Sequence, residues 1–125
     1  MSENHNPVGW FEIYVQDMDR AKTFYEKTFD VSLQHLTSDG LEMWAWPMQQ
    51  DAPGCPGALV KMEGKDSGVG GVIIYFPCED CAALAEHAAR NGARIQKPKT
   101  AIGQYGFISL IVDTEGNMIG LHSMK

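Results

Sequence analysis

The chain carries one pattern twice. Residues 10–29 read WFEIYVQDMDRAKTFYEKTF and residues 71–91 read GVIIYFPCEDCAALAEHAARN. In each, an alternating apolar strand runs into an acidic helix start and then an amphipathic helix. A shift of 61 positions (Trp10 to Gly71) sets Tyr14 on Tyr75, Asp19 on Asp80 and Ala21 on Ala82. That period exceeds a solenoid repeat and falls short of an ordinary domain. It predicts a duplicated supersecondary module, two copies of which make one fold with a functional groove where they meet.

Strand alternation assigns faces. In the first strand Phe11, Ile13 and Val15 match the apolar side of the following helix, namely Ala21, Phe24, Thr28 and Phe29 with Tyr25 at its margin. Trp10, Glu12 and Tyr14 are left for the other side. Asp17 is placed to cap that helix, and Asp19 adds charge favourable to its dipole. Strands are expected at 31–37, 41–48 and 58–62, the last two separated by QQDAPGCPG. In the second copy Val72, Ile74 and Phe76 face a helix packed through Cys81, Leu84, Ala85 and Ala88, which Gly92 stops. Strands at 94–97, 106–112 and 118–123 follow, the last two joined by a turn through Gly116. The order is βαβββ twice: module 7–63, a glycine-rich linker 64–70 and module 71–124, together one domain of residues 7–125.

Several function classes are disfavoured. A net charge of −6 with ten Lys and Arg repels phosphate backbones, so no nucleic acid partner is expected. No apolar run is long enough for a membrane-spanning helix. The opening MSENHNPVG has no basic, apolar leader, which makes the cytoplasm the expected location. Cys78 and Cys81 form C-x-x-C at a helix start, where the dipole would lower a thiol pKa. They read either as a redox pair or as two small helix residues, and three cysteines in all suit reduced thiols.

Three segments carry a family resemblance: VQDMDRAKTFY from Val15, NGARI from Asn91 and DTEGNMIGL from Asp113. With them the chain resembles the vicinal oxygen chelate superfamily, which includes glyoxalase I, bleomycin-resistance proteins and extradiol dioxygenases. It is most similar to small glyoxalase-like proteins labelled as related to lactoylglutathione lyase. The resemblance implies an α+β fold in which each module curls into a half-barrel and the pair encloses a central cavity, often in a homodimer. It also implies four metal-ligand positions, which fall here at Trp10, about Leu59, Gly71 and Gly120. None of these side chains offers a lone pair to a metal, so no metal centre of the usual kind is expected.

Other groups stand nearby. Glu12 and His122 each lie two residues beyond such a position, on the same side of their strands. They read as a general base and its partner in a lyase or isomerase, as ligands of a displaced divalent metal, or as two polar groups that satisfy each other. Trp10, Tyr14, Lys61 and Tyr75, with Trp44, Trp46 and Phe107, are the candidate substrate-binding residues. The aromatic ones could stack a planar or apolar ligand, or fill space that the glycines leave. The two functional expectations are an enzyme using Glu12 and His122 on a small molecule without a tightly held metal, and a non-catalytic protein that sequesters one. His5 falls in the opening tail, His87 on an outer helix face, and His35 in a strand whose facing alternation leaves open.

Overall fold

A computed structural model describes residues 5–38 and 40–125, with Thr37 and Ser38 as backbone only. Part of the opening segment that suggested a location therefore lies outside the described residues. The chain divides into two compact units, one of residues 10–72 and one that takes in residues 5–9 and 73–125.

The first unit contains β1 (Trp10–Tyr14), α1 (Met18–Phe29), β2 (Gln34–Ser38), β3 (Leu41–Ala45) and β4 (Gly57–Lys61). Its strands lie in the order β2-β3-β4-β1, with β1 parallel to β4 and the other pairs antiparallel. Asp17 is the cap of α1, its carboxylate accepting from the Arg20 amide at 3.0 Å. From that start, Met18, Ala21 and Tyr25 at helical spacing face the sheet. They cover Ile13, Val15, Leu33 and Leu59. Phe24 and Phe29, expected in that interface, are instead 58% and 57% exposed. Tyr25 takes the inward position, and Phe29 stacks on its ring at 6.0 Å.

The second unit repeats the plan with β5 (Val72–Pro77), α2 (Cys81–Arg90), β6 (Arg94–Ala101), β7 (Phe107–Val112) and β8 (Met118–Ser123). The strand order is β5-β8-β7-β6, with β5 parallel to β8. Asp80 caps α2, accepting from the Ala82 amide and from Lys99 Nζ, each at 3.0 Å. Ser123 Oγ accepts from the Cys81 amide at 3.0 Å, tying the last strand to the start of the helix. The core beneath α2 gathers Cys81, Ala85, Ile111 and Leu121. Strand β6 runs four residues past the expected end, to Ala101, because register shifts let it follow β7. Pro98 is tolerated there, on the outermost strand, where its missing N–H costs no ladder bond.

The two plans fix the true offset of the repeat. Val15 N–H donates to Val60 O at 2.9 Å, and Cys78 N–H donates to His122 O at 2.8 Å. Those equivalent bonds and the caps Asp17 and Asp80 set the strand–helix parts 63 positions apart (Val15 to Cys78). The expected shift of 61 matched aromatic and acidic letters but slipped the register by one pleat.

Candidate functional site

In the first unit, the helix cluster holds Ile13 and Leu59, which are register partners. Their strand neighbours therefore point to the opposite face. That face carries Trp10, Glu12 and Tyr14 on β1, Ala58 and Val60 on β4, and Met43 and Ala45 on β3. All but Trp10 are buried, and Glu12 is only 7% exposed. Its carboxylate accepts from the Tyr14 hydroxyl at 2.8 Å (Oε1) and from the Trp10 indole N–H at 3.3 Å (Oε2). Both donors sit two residues away on the same strand, where the pleat brings alternate side chains together. Burial, and then the Glu12 charge and hydrogen bond, push the Tyr14 phenol far above its ordinary value, so it stays a donor. The linker supports the same end of β1: the Gly71 carbonyl accepts the Tyr14 amide at 2.7 Å, and Lys65 Nζ lies 5.4 Å from the Tyr14 ring centre.

Trp44, Trp46 and Lys61 lie on the other face. Trp44 pairs in register with Leu59, and both tryptophans pack on the helix cluster. Lys22 Nζ sits 3.3 Å from the Trp44 ring centre, and Tyr25 meets Trp46 edge-on at 5.6 Å. Alternation correctly put the two rings on one side; the side is the one under α1. Lys61 shares the alternation of Leu59 and is exposed. It lines an open depression of about 300 Å³ with Asp17, Asp19 and Glu42 at the start of α1. His35 is on this face too, its ring 5.0 Å from that of Trp44.

In the second unit Phe107 is likewise withdrawn from the candidate set, since it packs on the α2 cluster with Lys99 Nζ 4.7 Å from its ring centre. The opposite face holds Ile73 and Tyr75 on β5, Ile108 and Leu110 on β7, and Gly120 and His122 on β8. Sequence reasoning passed over Ile108 and Leu110, although the alternation of β7 marks them. Tyr75 lies over Gly120 so closely that a Cβ there would overlap its ring. Its ring thus fills the space above a glycine, one of the two alternatives for the aromatics. His122 Nε2 is 2.6 Å from the Tyr105 carbonyl.

The cysteine pair does not have the expected electrostatics. Cys81 is completely buried, and burial, then Cys81 and Asp80, push the Cys78 thiol up rather than down. The Cys78 Sγ donates to the His122 carbonyl at 3.4 Å. A raised, partly buried thiol is a poor nucleophile.

Structural equivalence also corrects the metal positions that the resemblance implied. With caps 63 apart, the partner of Trp10 is Ile73, not Gly71. With Val60 matching His122, the partner of Gly120 is Ala58, not Leu59, which is buried under α1. Trp10, Ala58, Ile73 and Gly120 supply no metal-binding atom, and the Tyr75 ring blocks a ligand side chain at position 120. Among the described residues no three His, Cys, Asp or Glu side chains come together as a metal would require. The side chains at these four positions do not fit a metal centre of the kind the resemblance implied.

The family model described as Glyoxalase/Bleomycin resistance protein/Dioxygenase superfamily matches residues 8–121. The chain belongs to this superfamily. Solved structures of low identity share the superfamily fold across nearly the whole chain. A hypothetical protein of Bacillus halodurans is 12% identical, with 94% of each chain covered and a TM-score of 0.69. A single-residue variant of Streptomyces coelicolor methylmalonyl-CoA epimerase, in complex with 2-nitronate-propionyl-CoA, is 21% identical, with 94% of this chain and 96% of that one covered and a TM-score of 0.67. Methylmalonyl-CoA epimerase from Mycobacterium tuberculosis is 15% identical, covering 95% and 88%, with a TM-score of 0.65. No curated protein matches the sequence. No helix among the described residues is long and apolar enough to cross a membrane.

Proposed function

We propose that this superfamily member takes up a small organic molecule on the face carrying Trp10, Glu12 and Tyr14, with the Glu12 carboxylate accepting a hydrogen bond from it. The observation that carries this reading is the buried carboxylate itself. It sits among Ala58, Val60, Met43 and Ala45, steadied by two donors of its own strand. Burying a carboxylate is costly, and a fold that keeps one there gains most when the group meets a ligand. Trp10, half-buried, supplies an aromatic edge.

A second reading makes the same group catalytic. Glu12 would draw a proton from carbon beside a carbonyl, in an isomerisation or lysis that needs no metal. It is supported by the burial of the carboxylate among apolar side chains. The epimerase neighbours suggest acyl thioesters as first probes. We extend the proposal to a homodimer, which light scattering would test.

A thermal-shift screen of metabolites, acyl thioesters included, tests the proposal on the wild type and on Glu12→Gln. Compounds that stabilise the wild type should carry a hydrogen-bond donor or an acidic C–H, and Glu12→Gln should lose their effect. Hits that stabilise both proteins equally would remove Glu12 from the site. Turnover lost in Glu12→Gln, where binding survives in part, would select the catalytic reading.

A further inference from the structure

Between β6 and β7 the chain makes a tight turn, Gly103–Tyr105, closed by a bond from the Gly106 amide to the Gly103 carbonyl at 3.2 Å. Gly103 and Gly106 both have positive φ (68° and 97°), which L side chains rarely adopt. Ile102 N–H donates to Gly106 O at 2.8 Å, so the turn is pinned from both sides. Its geometry aims the Tyr105 carbonyl at His122 Nε2, 2.6 Å away.

A backbone carbonyl can only accept. Nε2 therefore carries the hydrogen, and in the neutral ring Nδ1 keeps its lone pair. We infer that Tyr105 is a positioning residue: its carbonyl holds His122 in the Nε2–H form, so that Nδ1 is the acceptor offered to a ligand that donates a hydrogen. The ligand class follows from that chemistry and comprises small molecules with a hydroxyl, an N–H or an acidic C–H. A compound with acceptors alone gains nothing from Nδ1. This inference rests on the proposed small-molecule role, but it concerns His122 and not Glu12.

Two nitrogen-resolved NMR measurements on histidine-labelled full-length protein test it without any variant. In the free protein the His122 ring should be the Nε2–H tautomer by about tenfold or more, the factor that 1.4 kcal/mol of hydrogen bonding supplies. Its N–H should also exchange with water at least about tenfold more slowly than that of the exposed His87. Equal exchange at the two, or an Nδ1–H ring, would overturn the assignment. Phenol and anisole, which differ by one donor hydrogen, then probe the ligand side. Phenol should move the Nδ1 resonance while anisole leaves it in place. Equal movement with both, or none with either, would overturn the ligand class. Unchanged binding in Glu12→Gln, with an unchanged His122 tautomer, would count against the proposed function and leave the Tyr105 assignment standing.

Discussion

Adding one methyl group at Gly120 should destabilise the protein, and the structure says by how much. A Cβ at this position would enter the Tyr75 ring. Tyr75 is only 6% exposed, so its ring is closely surrounded. Forcing an extra carbon into a packed site costs about 1–3 kcal/mol. Replacing glycine in a strand returns about 0.5–1 kcal/mol of backbone entropy. The overlap at Gly120 places the packing cost at the upper end of its range, about 2–3 kcal/mol, so Gly120→Ala should lose about 1–2.5 kcal/mol net. Urea unfolding would show it as a lower midpoint at unchanged slope. Tyr75→Leu, which removes the ring, should make the same methyl group tolerable. In the double variant the cost of Gly120→Ala should fall by at least about 1 kcal/mol, a coupling that a double-mutant cycle isolates. If Gly120→Ala proves as stable as the wild type, or if its cost is the same with and without the ring, then Tyr75 does not close that position. The argument against a ligand at 120 would fail with it.

Further outcomes follow from the caps and the titrating groups. Asp17→Ala should cost about 1 kcal/mol through loss of the bond to the Arg20 amide, read in the same urea assay. Asp80 is held below the ordinary carboxyl value of 3.8 by Lys99 and the Ala82 amide, and Asp113 by the amides of Asn117 and Glu115. The folded chain thus binds fewer protons than the unfolded one near that value. Their stabilisation is complete above 3.8 and is lost as pH falls through the lower folded-state values, so Asp113→Asn should flatten the acid limb of a stability–pH curve. Tyr14 has the opposite sign: its raised pKa makes stability fall as pH rises past 10, and one of the four tyrosines should resist ionisation in an ultraviolet titration until the protein unfolds.

Much of the fold was legible in the letters, because local chemistry decides it. Asp17 caps α1 as its position predicted, and the β8 bounds agree with the alternation. The helix contacts of Cys81, Leu84, Ala85 and Ala88 also agree. The errors arose where tertiary register decides. A W-x-W pair tells that two rings share a side, but not which side; pairing of Trp44 with Leu59 settles that, and it is set by a strand 15 residues on (Trp44 to Leu59). Phe24 and Phe29 were expected on the inward face with Ala21; Ala21 is there, but Met18 and Tyr25 complete that face and both phenylalanines are exposed. The repeat offset failed for the same reason: matching letters favoured 61, whereas hydrogen bonds from Val15 and Cys78 define 63 (Val15 to Cys78). Glu12 was visible as a polar residue on an apolar alternation, and its Tyr14 partner was visible as its neighbour on the same face. Tyr105 could not be read, since it acts through a backbone carbonyl.

Calorimetric titration of one stabilising compound into the wild type, Glu12→Gln and Tyr14→Phe bears most directly on the role of Glu12. A hydrogen bond to a charged acceptor is worth about 1.5–3 kcal/mol, so Glu12→Gln should weaken binding roughly 10- to 150-fold. Tyr14→Phe, which only frees the carboxylate to move, should weaken it less. Equal affinity for all three proteins would contradict the account, because the buried carboxylate would then have no part in what the protein binds.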